Sequence, residues 1–243
     1  MAKSVLIVAE SGCGKSASIR TLNPKETFII NVSGKELPFP GWSKNYKLWT
    51  KDNPSGNLYI DHKPANILAG MNYVNTKRPE ITNLVIDDFQ FMSAFEFFDR
   101  ISEKGFDKYN DIGGHAISIL RNIATMRNNL TVFILTHVEE GTDVEGKKIY
   151  RAKTIGKLMH EKATIEGFFR VVLFAKVKKN PEGGVRYVFE TNNNGDNTCK
   201  SPMGMFDSFE IENSLQIVKE AISKYDLEES NSDITPASKL VEA

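Results

Sequence analysis

"VAESGCGKSASI", residues 8–19, decides how this chain is read. An apolar run, SVLIVA at 4–9, leads into it, and KSASIRTL at 15–22 follows with a helical pattern until Asn23-Pro24 stops it. Strand, glycine-containing loop and helix in that order make a cradle for phosphate. The loop must curl so that several backbone N–H groups point into one concavity. Gly12 and Gly14 permit those backbone angles and let a phosphate approach without a Cβ in the way. The helix is expected to direct its N-terminal partial positive charge at the same point. Lys15 adds a mobile cation for the β- and γ-phosphates of ATP, and Ser16 a hydroxyl for Mg²⁺. Glu10, Ser11, Gly12, Cys13, Gly14, Lys15, Ser16 and Ala17 are therefore the expected nucleotide-binding stretch. Such loops usually begin with glycine, and here that position is Ala9. Alanine is small, and the position opens the loop rather than cradling phosphate. The competing reading, a chance turn, is disfavoured by the placement between a buried strand and a helix.

A phosphate loop needs an acidic partner for its metal. LVIDDF, 84–89, supplies a strand ending in paired carboxylates. Asp87 is the expected Mg²⁺ ligand, acting mostly through water. Asp88 stands where a general base polarises an attacking water, or alternatively caps the helix of FQFMSAFEFF. FILTHV, 133–138, ends another strand in Thr136 and His137, placed to sense the γ-phosphate or orient water. His137 is the third catalytic candidate beside Lys15 and Asp88, against the alternative of a satisfied surface histidine. Glu139 and Glu140 are rivals for the coupling role.

Composition bounds the rest. The chain has 243 residues, 40% hydrophobic and 26% charged, with 31 basic against 31 acidic side chains. That is ordinary for a soluble globular protein, and a neutral balance means that a nucleic-acid surface must come from local clusters. Cys13 and Cys199 fit no metal spacing and read as reduced thiols. No run approaches membrane-spanning length, and MAKSVLIVAESG lacks a signal core, so a cytoplasmic protein without membrane contact is expected.

Along the chain, TFIINV (27–32), NLVIDDF (83–89) and TVFILTHV (131–138) read as further buried strands. PANILAGMNYVNTK (64–77), FMSAFEFFDRI (91–101), GGHAISILRNIATMRNN (113–129) and GKLMHEKATIEG (156–167) read as helices. EEGTDVEGKKIYRAKT suggests a small hairpin, and FRVVLFAKVKK and VRYVFETN flank NPEGG as a clearer one. SLQIVKEAISKY (214–225) closes the body as an amphipathic helix. The expected fold class is α/β: a P-loop core with a mostly parallel sheet covered on both faces by helices, plus an antiparallel C-terminal hairpin. Residues 1–226 are expected to form one domain, and 227–243 an acidic disordered tail.

The succession of VLIVAESGCGKS, LVIDDFQFM, FILTHVEE, TIGKLMHEKATIEGFFRVVLFAKV, YVFETN and CKSPMGMFD resembles the phage-encoded RecA-like P-loop ATPases of single-strand annealing and recombination systems, over roughly residues 4–225. The resemblance implies a RecA-like core, ATP and Mg²⁺ binding, single-stranded DNA as partner, and self-assembly into rings or filaments. It also implies a basic residue from one subunit completing the neighbour's ATP site, for which Lys153, Lys157, Arg170 and Lys200 are candidates. A single-strand DNA-binding protein, or other replication and recombination proteins, are further candidate partners. RecA-type proteins carry a catalytic glutamate just after the second strand. Here INVSGKE offers Asn31 and Ser33 there, with Glu36 displaced.

Three stretches are candidates for DNA. KVKKNPEGGVR gathers Lys176, Lys178, Lys179 and Arg186, while EGKKIYRAK interleaves Lys147, Lys148, Arg151 and Lys153 with Tyr150. EKGFDKYNDIGGH places Phe106 and Tyr109 in an expected mobile loop. Basic side chains attract the phosphate backbone, and aromatic rings stack on unpaired bases without reading sequence. The plain alternative is solvated, charged surface. The expected function is therefore an oligomeric ATPase that binds single-stranded DNA in phage recombination or annealing. A replicative helicase, a helicase loader, a small-molecule kinase and an annealing protein with a purely structural nucleotide are the alternatives.

Overall fold

The computed structural model describes residues 1–142, 145–154, 164–180 and 182–231. The first apolar run forms β1 (Lys3–Ala9), followed by β2 (Thr27–Asn31) and β3 (Leu58–Ile60). Next come β4 (Asn83–Asp87) and β5 (Thr131–Thr142). The strand order is β3-β2-β4-β5-β1, all parallel, continued by β7 (Val171–Asn180), which is parallel to β1. Antiparallel β8 (Gly184–Glu190) and β9 (Glu210–Glu212) extend that edge. β6 (Lys148–Ala152) pairs antiparallel with the far end of β5, forming the small hairpin read from the sequence.

Alternation along the strands explains why the runs are continuously apolar. Leu6 and Val8 of β1 face one side with Ile30, Ile86 and Ile134. Their cover comes from α2 (Pro64–Lys77) through Ile67 and Met71, and from α4 (Asp107–Ile123) through Ile119 and Ile123. Val5 and Ile7 face the other side with Val85, Phe133 and Leu173, under Ile19 and under Leu215 and Val218 of α5 (Leu215–Asn231). A sheet buried on both faces needs apolar residues at every position, and each such side chain contributes about 1.5–3 kcal/mol. Two shorter helices, α1 (Trp42–Asn45) and α3 (Gln90–Asp99), lie in the connections.

Some elements differ from their sequence reading. KSASIRTL is not an α-helix but a six-residue 3₁₀ helix, Ser16–Thr21. Hydroxyls crowd this segment and bond back to its own backbone: Ser18 Oγ donates to the Lys15 carbonyl at 2.6 Å and Thr21 Oγ1 to that of Ser18 at 2.8 Å. α4 starts at Asp107, six residues before the expected Gly113, so Tyr109 sits in a helical turn rather than a mobile loop. The cause is tertiary: buried Lys108 donates to the carbonyls of Arg100, Ile101 and Glu103 just after α3, anchoring the first turn of α4. α5 runs on to Asn231, so residues 227–231 of the expected tail are helical, and 232–243 lie outside the described residues. Most of the expected helix 156–167 also lies outside them, and Ile165–Phe168 at its end is a 3₁₀ turn.

Candidate functional site

Parallel strands deliver their carboxyl ends to one edge, and ligands of open α/β sheets bind there. Register aligns those ends: Ala9 lies opposite His137 on one side and Ala175 on the other, and Asn31 lies opposite Asp87. β5 stands between the loop strand β1 and the carboxylate strand β4, so Thr136 and His137 arrive between the two.

The loop after Ala9 turns through two left-handed glycines, Gly12 at φ 83° and Gly14 at φ 82°. At Gly14 the requirement is double, because a Cβ there would lie 2.8 Å from the Tyr187 ring. The short 3₁₀ segment behind the loop replaces the expected α-helix, so its dipole contribution is small. The loop N–H groups and Lys15 carry the positive potential instead.

Lys15, only 6% exposed, ion-pairs with Asp88 and lies 3.6 Å from Asp87, while Ser16 Oγ donates to Asp87 Oδ1 at 2.8 Å. His137 Nε2 stands 3.6 Å from Asp88 Oδ1. Asp88 has φ 59°, the left-handed region, and among the described residues no other non-glycine residue does. Such backbone strain, of order 1–3 kcal/mol, persists only where surrounding contacts fix it, and it concentrates at functional sites. Asp88 does not cap a helix: the cap position of α3 is Phe89, without a side-chain bond.

Burial opposes the charge on Asp88. The approach of His137, the charge and hydrogen bond of Lys15 and a bond from Ser33 outweigh it and hold its pKa well below the carboxylate range. For Asp87 burial dominates and, with repulsion from Asp88, pushes the pKa up against the pull of Lys15 and Ser16. One ammonium against two buried carboxylates leaves the site short of positive charge. Among the described residues no three His, Cys, Asp or Glu side chains are grouped to hold a metal by themselves. The oxygen donors Asp87 and Ser16 nevertheless fit Mg²⁺, which takes one or two carboxylates and fills its shell with water and phosphate oxygens.

These side chains line a cavity of about 340 Å³ that also reaches Glu10, Ser11 and Ala17. Asn31 does not face the reacting end. Its amide organises the next turn, accepting from Gly34 N–H at 2.9 Å and donating to the Lys35 carbonyl at 2.6 Å. That turn brings Ser33 and the displaced Glu36 to the cavity wall. Two neighbours carry no sequence signal. Tyr187 packs on Gly14 from β8. Gln90 accepts from Thr136 Oγ1 and the His137 N–H, both at 3.2 Å, and its buried amide nitrogen has no partner among the described residues.

The other candidates lie apart. Glu139 pairs with Arg151 and Glu140 with Lys148, outside the cavity. Lys153 donates its backbone N–H to the His137 carbonyl at 2.7 Å and borders a separate, smaller cavity. Arg170 precedes β7, at the opposite end of the sheet from Ala9, and pairs with Asp226 at 2.5 Å. Lys200 pairs through its backbone with Val172 near that same end, and Lys157 lies outside the described residues. In the basic hairpins, Lys178 pairs with Glu210 at 2.9 Å, Arg186 pairs with Glu210 at 2.8 Å, and Lys147 donates to the Gly195 carbonyl. Lys179 is exposed on β7, Tyr150 lies between the ammonium groups of Lys148 and Lys176, and Phe106 is 85% exposed beside Tyr109.

Fold and site together define a mixed α/β protein with a mostly parallel sheet and a polar cleft at the strand ends. No protein-family model matches the chain, and no curated protein matches it. No helix among the described residues is long and apolar enough to cross a membrane.

Proposed function

We propose that the chain is a Mg²⁺-dependent P-loop ATPase with a RecA-like core, acting as a homo-oligomer on single-stranded DNA in phage recombination or annealing. One observation carries the nucleotide part: Lys15, Ser16, Asp87, Asp88 and His137, from three chain segments, converge on a single cleft behind two left-handed glycines. In this reading bound Mg²⁺ neutralises charge developing on the transferred phosphoryl group. Lys15 leaves Asp88 for the β- and γ-phosphates, and Ser16 and Asp87 hold the metal side. Asp88, released from Lys15 and kept ionised beside His137, accepts a proton from the attacking water. The DNA and assembly parts rest on the resemblance, on the exposed Phe106 beside half-buried Tyr109, and on half-buried Tyr150 with Lys148 and Lys176 at its ring. Phosphate release measured with and without single-stranded DNA tests the reading. Stimulation by DNA, lost in Asp88→Asn, supports it, whereas turnover retained in Asp88→Asn removes Asp88 as the base. Phosphate transfer to a small-molecule acceptor instead of water would make the chain a kinase.

A further inference from the structure

We propose that Tyr187 is the platform on which the nucleotide base stacks, so that the cleft takes purine nucleoside triphosphates by stacking rather than by reading the base edge. This rests on the nucleotide reading of the cleft and deepens it. Lys15, Asp87, Asp88 and His137 mark the reacting end of the cavity. The chain passes from Lys15 through Ser16 to Ala17, which also lines the cavity, and in this reading a phosphate chain would run from the carboxylates along this turn.

Tyr187 belongs to that same wall. Its ring lies 2.8 Å from where a Cβ on Gly14 would be, yet the residue is still 42% exposed and lines the cavity. A ring pinned on one side and open on the other is a stacking surface. Its placement is fixed rather than incidental: the Tyr187 carbonyl accepts from the Asn213 N–H at 3.2 Å, and Asn213 is buried. Arg20 ties this edge to the loop, donating to the Ala17 carbonyl at 2.8 Å and reaching Asn213 Oδ1 at 3.5 Å. Beside the ring, Gly14 and Ala17 have no side-chain donor or acceptor with which to read a base edge, and the Asn213 amide next to Gly14 is buried outside the cavity lining. Stacking alone accepts any flat base and favours the larger purines, because every base has a π-face.

The test is calorimetric titration of the full chain, in Mg²⁺, with ATP, GTP, inorganic tripolyphosphate and base-free ribose 5-triphosphate. The expected result is that ATP and GTP bind within about threefold of each other and each at least tenfold tighter than ribose triphosphate. In Tyr187→Ala the purine nucleotides fall to the ribose triphosphate level while tripolyphosphate binding is unchanged, and Tyr187→Phe restores them. Equal binding of ATP and ribose triphosphate by the wild type overturns the proposal, with no variant needed. Discrimination of ATP over GTP beyond about thirtyfold also overturns it, since that requires hydrogen-bond readout. Equal loss of tripolyphosphate and ATP in Tyr187→Ala does so too, making the ring a support for the loop only. Failure of wild-type tripolyphosphate binding, by contrast, indicts the phosphate cleft itself.

Discussion

Gly14 meets two demands at once, a left-handed backbone and a ring against its Cα. Gly14→Ala is expected to cost about 1–2 kcal/mol for the backbone alone, plus the clash. Urea melts of Gly14→Ala, Tyr187→Ala and the double variant separate the two terms. The double variant should recover the clash part, and strict additivity would mean that the ring does not touch the loop. Cys13 makes a second residue-scale prediction. Burial, and then the Glu10 charge, raise its thiol pKa above the usual value, while Lys176 pulls the other way less strongly. A raised pKa leaves less thiolate at neutral pH, so alkylation should be slower than for an unfolded cysteine and should climb as pH rises past the ordinary thiol range. A midpoint at or below the ordinary value would contradict the described surroundings. The convergence of Gly12, Gly14, Lys15, Ser16 and the Asp87-Asp88 pair was legible in the sequence because the proposed phosphate chemistry would constrain residue type and order. Tyr187 and Gln90 were not, since nothing local to either marks what the fold brings beside it.

At the scale of elements, β5 is the strand on which the site depends, because it spaces the loop from the carboxylates. Phe133 in its buried first half is wholly buried, and Phe133→Ala should cost about 3–5 kcal/mol in a denaturant titration. A loss below 1 kcal/mol would mean that the strand is not in the core. The parallel strands were readable because a doubly covered sheet leaves no polar position inside them. The helix after the loop was not, because propensity does not show that Ser18 and Thr21 spend their hydroxyls on carbonyls one turn back. The early start of α4 was hidden for another reason. Its anchor, Lys108, bonds to carbonyls beyond the end of α3, and a buried lysine looks like any surface lysine in one dimension.

For the whole molecule, 31 basic and 31 acidic side chains balance, and some of them pair on the β7–β8–β9 edge. Glu210 holds both Lys178 and Arg186, and those partners keep its carboxyl below the usual range. If this edge carries DNA, Glu210→Gln should release Arg186 and loosen Lys178, which keeps Glu190 at 3.5 Å. Affinity for single-stranded DNA should then rise, and the slope of log Kd against log salt should steepen by about one phosphate contact or more. An unchanged salt curve would take the hairpin off the DNA surface and leave the Tyr150 and Phe106 groups.

In the proposed function, Lys15 and the strand-end carboxylates hold a metal–triphosphate. Calorimetric titration of Mg·ATP into the wild type and Lys15→Ala, with circular dichroism confirming that both are folded, tests it most directly. Stoichiometric binding by the wild type that weakens at least a hundredfold in Lys15→Ala, and disappears for both when EDTA removes the metal, is the predicted result. Equal affinity in the two proteins, or no binding by the wild type, would contradict the account.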